Sequence, residues 1–221
     1  GWEVSANWRD KKGDFSYNIG ASLFNNENKV LKAGYSESDT LIFKNNNDKI
    51  WYKGIAIDNY YGYKSNGYFK DQAEVDGTDA KLPNTIPGDI KYIDQNGDGV
   101  INDKDKVDLG DPFPHLNYSL TFNFKYKNWD VSMLGQGVGR RTGRLNGLEG
   151  YPVIMDGSSN SLGTPRQYYM DNRWTPSTPN SRFPRVWTGS SSNAVLSDVW
   201  LSDASFFRIK TMQLGYTIPR I

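Results

Sequence analysis

Twelve consecutive residues, Asp94-Gln95-Asn96-Gly97-Asp98-Gly99-Val100-Ile101-Asn102-Asp103-Lys104-Asp105, carry oxygen atoms at the spacing of a calcium-binding loop. In such a loop the side chains of Asp94, Asn96 and Asp98, the backbone carbonyl of Val100, Asn102 directly or through water, and Asp105 surround one hard cation. Gly99 stands where the chain must turn sharply, and Ile101 where the loop anchors to a core. Three carboxylates brought into one small volume repel each other, and a divalent cation turns that repulsion into a stabilising cage. The last ligand is aspartate where glutamate is usual, so the expected affinity falls toward about 0.1 to 1 mM. Magnesium fits less well, because it prefers a tight octahedron and keeps its own waters. The same residues also suit an Asx-rich surface turn without a metal. The expectation is one structural Ca²⁺ with no catalytic part.

Other chemistry is thin, and no enzyme is expected. Asp103, Asp105 and Asp108 sit in or beside the loop and are better explained by it than as an acid/base pair. His115 is the only histidine and there are no cysteines, which excludes His-rich or thiolate metal sites and disulfides. Gly135-Gln136-Gly137-Val138-Gly139 lacks the Lys-Ser/Thr and the helix that a phosphate loop needs. Arg140, Arg141 and Arg144 suit a solvated loop or contact with an acidic partner. The formal net charge of +1 gives no reason to expect nucleic acid. A second candidate site is aromatic: Tyr60, Tyr61, Tyr63, Tyr68 and Phe69 fall in a long connection, where exposed rings need a solute, a partner or each other.

The elements that position these residues are strands. Trp2, Val4, Ala6 and Trp8 alternate with Glu3, Ser5, Asn7 and Arg9, giving a strand near 2–9. After a polar turn the alternation resumes near 15–25, so the two form a hairpin. A third strand near 116–126 sets Leu116, Tyr118, Leu120, Phe122 and Phe124 against Asn117, Ser119, Thr121 and Asn123. Lys127-Asn128 turns it into a fourth near 129–138, and a fifth lies near 205–218, with Met212, Leu214, Tyr216 and Ile218 in step. Short turns alternate with long connections, near 26–115 and 139–204, where ordinary connections have a median of about 4 to 6 residues. No apolar run approaches the roughly 20 residues of a membrane helix.

Periodicity alone fits a soluble β-sandwich as well as a membrane barrel. The Ser, Asn, Gly and Thr of the polar faces and the unequal connections favour a barrel, in which periplasmic turns are short and extracellular loops long. Trp2, Trp8, Tyr126 and Trp129 lie near strand ends, where an aromatic girdle meets lipid headgroups. The expected fold is all-β, one domain over 1–221: part of a large antiparallel transmembrane β-barrel with long extracellular loops. The competing reading is a secreted calcium-binding β-protein that binds or degrades polysaccharide.

Three stretches together resemble the SusC/RagA family of TonB-dependent outer-membrane transporters. They are Tyr60 to Phe69 with Pro87-Gly88-Asp89-Ile90-Lys91-Tyr92 and the calcium-like loop; Arg173-Trp174-Thr175-Pro176 with Arg182-Phe183-Pro184-Arg185; and Ser197 to Ser205 with Arg208-Ile209-Lys210 and Leu214-Gly215-Tyr216. The resemblance covers essentially the whole chain. It implies a barrel of about 22 strands in the outer membrane of a Gram-negative bacterium, importing oligosaccharides or peptides with a SusD-like surface lipoprotein as lid and TonB as energy source. It also implies that the plug and the TonB-contacting segment lie outside this sequence, since five strands cannot close a membrane barrel whose minimum is about eight. On that reading Tyr60, Tyr61, Tyr63, Tyr68 and Phe69 line the substrate chamber or meet the lid, unless the loop packs on itself.

Overall fold

The computed structural model describes residues 1–32, 49–145, 165–187 and 191–219, and the backbone of 40–43. Of the Asn-rich stretch 39–48, Asp39 and 44–48 lie outside the described residues, as does Ser190. Two long strands open the chain, β1 (Trp2–Lys12) and β2 (Phe15–Asn25). Short ones follow: β3 (Thr40–Phe43), β4 (Lys49–Tyr52), β5 (Asn59–Tyr63), β6 (Ser65–Tyr68), β7 (Ile90–Tyr92) and β8 (Lys106–Gly110). Then come the long β9 (Leu116–Tyr126) and β10 (Trp129–Gly139), the short β11 (Thr142–Arg144) and β12 (Leu201–Asp203), and the long β13 (Phe206–Tyr216). Two short α-helices intervene among the described residues, α1 (Gln72–Asp76) and α2 (Gln167–Asp171), with 3-10 turns at Asp103–Asp105, Ser192–Ala194 and Asp198–Trp200. None is long and apolar enough to cross a membrane.

The chain divides into two compact units. The first comprises Gly1–Lys29, Pro112–Thr142 and Asp203–Ile221. Its five long strands form one sheet in the order β1-β2-β9-β10-β13, every pair antiparallel. Because paired residues share a face, the register turns five separate alternations into two continuous surfaces. Trp8, Ile19, Phe122, Met133 and Met212 make one row of the apolar face; Tyr17, Phe124, Val131 and Leu214 make the next. At the end with the two short turns, Phe15, Tyr126, Trp129 and Tyr216 line up, the last two with ring centroids 4.7 Å apart. The opposite face carries Ser5, Ser22, Ser119, Gln136 and Arg208 in one row and Arg9, Asn18, Asn123, Ser132 and Gln213 in another. Ser22 and Ser119 hydroxyls meet at 2.7 Å.

Two details depart from the sequence reading. β1 runs to Lys12 although its alternation breaks at Asp10, because β2 continues to offer backbone partners as far as Phe15. In β13 the apolar positions switch from odd (Phe207, Ile209) to even (Met212, Leu214, Tyr216). The register shift opposite Leu134/Gly135 pairs Thr211 and Ile209 with successive residues, which makes Lys210 the extra residue of a β-bulge. The bulge keeps both halves of the strand facing the same way; without it one half would point inside out.

The second unit, Val30–Asp111 and Gly143–Ser202, corrects the expectation of plain loops and of a single domain. It holds a four-stranded sheet, β3-β4-β5-β8, and the pair β6-β7. Its core is Tyr63, Ile90, Tyr92, Ile101, Tyr169, Phe183, Trp187, Val199 and Trp200. Phe183 is fully buried between the rings of Tyr169, at 4.6 Å, and Trp200, at 6.3 Å. These residues come from strands of three to five residues and from single turns, so no sustained period announces them in the sequence.

Candidate functional site

In the calcium-like loop the carboxylates of Asp94, Asp98 and Asp105 are turned onto backbone amides. Asp94 accepts hydrogen bonds from Gly97 N–H and Gly99 N–H, both at 2.7 Å. Asn96 accepts from Asp98 N–H at 2.9 Å and donates to the Asp98 carboxylate at 3.0 Å, and Asp98 accepts from Val100 N–H at 3.0 Å. Asn102 accepts from Lys104 N–H, and its amide donates to the Val100 carbonyl at 3.3 Å. Asp105 is completely buried and clasps the loop across its width, accepting from Gln95 N–H at 2.9 Å and Asn102 N–H at 2.8 Å. Gly97 and Gly99 have φ of 73° and 82°, which only glycine adopts freely. Ile101 is buried in the core of the second unit, as an anchor should be.

The Gly99 amide, with those of Gly97 and Asp98, holds the Asp94 carboxyl below its usual range despite an opposing burial effect. It is therefore ionised, as a hard cation requires. An ionised carboxylate has about four lone-pair sites, so oxygens that each accept one amide keep capacity for a metal. Among the described residues no three acidic or histidine side chains already stand together as a metal cage. The donor set fits Ca²⁺ in type and number once the part-buried Asp94 and the exposed Asn96 and Asp98 turn toward one centre.

The aromatic candidates separate. Tyr63 and Phe69 are buried, 5% and 1% exposed, so they serve the core and not a solute. The expectation that they line a chamber or meet a lid is corrected, because sustained contact with a ligand would require the unit to open. Tyr68 is half-buried and donates its hydroxyl to the Arg182 carbonyl at 2.9 Å; burial pushes its phenol up to about 12. Tyr60 and Tyr61 stay partly accessible on β5.

The motifs that carry the family resemblance converge on one another. Asp89, fully buried, lies 2.7 Å from Arg185 Nε, accepts from Asn193 Nδ2 at 2.7 Å and from Ile86 N–H at 2.9 Å. Asn193 accepts from Ile90 N–H at 2.8 Å through its side chain, and its carbonyl accepts from the Trp200 indole at 2.8 Å. Arg182 donates to the carbonyls of Val199 and Leu201. Gly88, with φ of 85°, lies against the Trp174 ring and leaves no room for a Cβ. These stretches are thus a structural keystone of the second unit. Sequence reading missed Asn193 because an isolated asparagine in a Ser/Asn loop carries no signal of burial.

The remaining residues weighed for chemistry are structural as well. Asp103 pairs with Lys106 at 3.0 Å, and Asp108 accepts from Asn59 and Gly110 N–H. The His115 ring lies 3.1 Å from the Asn26 carbonyl, and Arg141 donates to that of Pro112. Gly135 and Gly137 are strand residues roofed by the rings of Phe207 and Tyr118, which stack at 6.0 Å.

The polar face of the five-stranded sheet carries three grooves. One of about 250 Å³ is lined by Arg9, Asn18, Asn123 and Ser132, and a second by Asn7, Gly20, Ser22 and Thr121. The third, about 400 Å³, runs from Glu3 through Ser22, Ser119 and Gln136 to Lys210. The apolar face opposite leaves Trp8, Leu23, Met212 and Leu214 41 to 74% exposed, a broad surface that water does not favour.

No family model matches the chain. Curated proteins do: TonB-dependent receptor P26 of Formosa agariphila is 31% identical over 226 residues, covering 99% of this chain and 22% of that protein. TonB-dependent receptor SusC of Bacteroides thetaiotaomicron is 26% identical over 219 residues, covering 96% of this chain and 19% of that protein. Among solved structures, the RagAB peptide importer in its open-open state superposes with a TM-score of 0.69 at 15% identity, over 98% of this chain and 22% of that one. The chain is SusC/RagA-like. The SusC/RagA-like chain spans about a fifth of the length of the curated relatives it matches. The sheet shares the fold of a barrel wall, and the relatives bear receptor names, in line with the expectation that the chain is not an enzyme.

Proposed function

We propose that this chain is a wall segment, with a second unit in its long connections, of an outer-membrane, TonB-dependent importer of oligosaccharides or peptides in a Gram-negative bacterium. It works with a SusD-like surface lipoprotein and draws energy from TonB through a segment outside this sequence. The observation that carries the reading is the two-faced sheet, whose continuous exposed apolar surface backs a grooved polar one. A secreted polysaccharide-binding protein would have to cover that apolar surface with protein, whereas lipid covers it in a barrel wall. Tyr60 and Tyr61 are the rings left available to cargo or lid.

Spin labels test the assignment in the full-length receptor in membranes. A label at Leu120 is expected to be shielded from an aqueous relaxant and one at Ser119 to be reached by it; equal accessibility refutes the barrel wall.

The loop Asp94 to Asp105 is proposed to hold one Ca²⁺ that stiffens the second unit, with Asp94, Asn96, Asp98, Val100, Asn102 and Asp105 as ligands. Support comes from the twelve-residue spacing and from the ionised, accessible Asp94. Calorimetric titration of the full-length protein should give binding at about 0.1 to 1 mM, lost in Asp98→Ala. Identical heats for the two proteins count against the site.

A further inference from the structure

We propose that the polar face of the sheet, at the end away from the short turns, forms a subsite for an anionic oligosaccharide, one bearing carboxylate or sulfate groups. The proposal rests on the import reading and adds a class of cargo to it. Its two cations are placed by β13. Lys210 is the extra residue of the bulge and lines the 400 Å³ groove with Gln136 and Phe206. Arg208 stands across from Gln136, its guanidinium 5.4 Å from the Phe206 ring centroid. Among the described residues neither cation has a carboxylate partner. Lys210 lines the groove and Arg208 stands beside it, with Glu3 the acid at its other end, so the β13 end presents two adjacent cations that raise the local concentration of anions.

The rest of the lining indicates a sugar in preference to a peptide. Ser22, Ser119, Asn117 and Gln136 present neutral hydroxyl and amide groups that match sugar hydroxyls. Phe24 and Phe206, 45% and 40% exposed, offer flat apolar faces on which a sugar ring can lie, with Val138 beside them. Over the face as a whole Arg9, Lys11, Lys125, Arg208 and Lys210 outnumber the acids Glu3, in the groove itself, and Asp130, so the net field favours anions.

The full-length receptor in detergent should be titrated with an oligogalacturonate, the neutral oligogalactose of equal length, and an oligoglutamate of equal length. The acidic sugar is expected to bind best, to weaken as salt is raised, and to weaken about tenfold in R208Q/K210Q, with the neutral sugar unchanged. Both side chains are exposed, so the variant should match the wild type in heat stability; the salt dependence of the unmodified protein tests the charge contribution independently of the variant. An acidic sugar that binds no better than the neutral one, shows no salt dependence, or is indifferent to R208Q/K210Q overturns the proposal. So does an oligoglutamate that outbinds the sugar and depends on the same two cations, which would make the cargo a peptide. Failure of the import reading would appear separately, as a Leu120 label open to water.

Discussion

Asp89→Ala is expected to destabilise the second unit by about 3 to 5 kcal/mol, the usual consequence of removing one partner of a buried ion pair. The carboxylate serves four groups at once: Arg185 at 2.7 Å, Asn193 Nδ2 at 2.7 Å, Ile86 N–H at 2.9 Å and the Ser192 hydroxyl at 3.5 Å. Alanine leaves the buried amide donors without acceptors, each a loss of about 1 to 3 kcal/mol. Arg185 is partly exposed and can turn to water, which limits the total. Asp89→Asn should fail too, since both carboxylate oxygens accept and an amide NH₂ in either place would face a donor. Hydrogen exchange in the full-length receptor gives the readout: protection of the Ile90 and Tyr92 amides should collapse while β9 and β10 stay protected. Unchanged protection at Ile90 would refute the keystone role.

Alkaline pH should open the same unit. Burial raises the phenols of Tyr68, Tyr92 and Tyr169, which donate to the carbonyls of Arg182, Ser192 and Pro184. A phenol whose folded pKa exceeds its unfolded value of about 10 contributes stability that is intact below that value. That contribution is lost as pH rises toward the folded pKa, about 12 for Tyr68. Within this window the unfolded chain releases protons that the folded one retains, so stability falls by about 1.4 kcal/mol per pH unit for each such phenol. Three act together. Phenolate absorbance should therefore rise cooperatively, in step with loss of near-ultraviolet circular dichroism. Gradual, independent titration with the dichroism unchanged would show that these hydroxyls are not held as described.

The long strands were legible because each pairs along nearly its whole length with a neighbour of the same period. Leu116–Tyr126 could be read from the sequence because its alternation is unbroken. β13 was legible only in part, since the bulge at Lys210 shifts its pattern by one residue and a fixed period of two cannot span that shift. The second unit was hidden for a different reason. Its core depends on single residues such as Phe69, Phe183 and Asn193, brought together from distant stretches, and two members of the aromatic cluster that suggested a binding surface, Tyr63 and Phe69, are buried in its interior. In the calcium-like loop the spacing gave the turns and the Ile101 anchor, while the role of Asp105 as an internal clasp depends on amides that no ligand motif records.

The 104 residues that separate Asp89 from Asn193 also set an order of assembly. The hairpins β1-β2 and β9-β10 close across two-residue turns and can form as soon as they are made. The core of the second unit must wait, because its second half follows β10 in the chain and closing so long a segment carries a larger entropic penalty. Ile90 and Tyr92 stay uncovered until residues 165–202 pack on them. Resistance of the second unit to protease would therefore serve as a clock for the joining of its two halves.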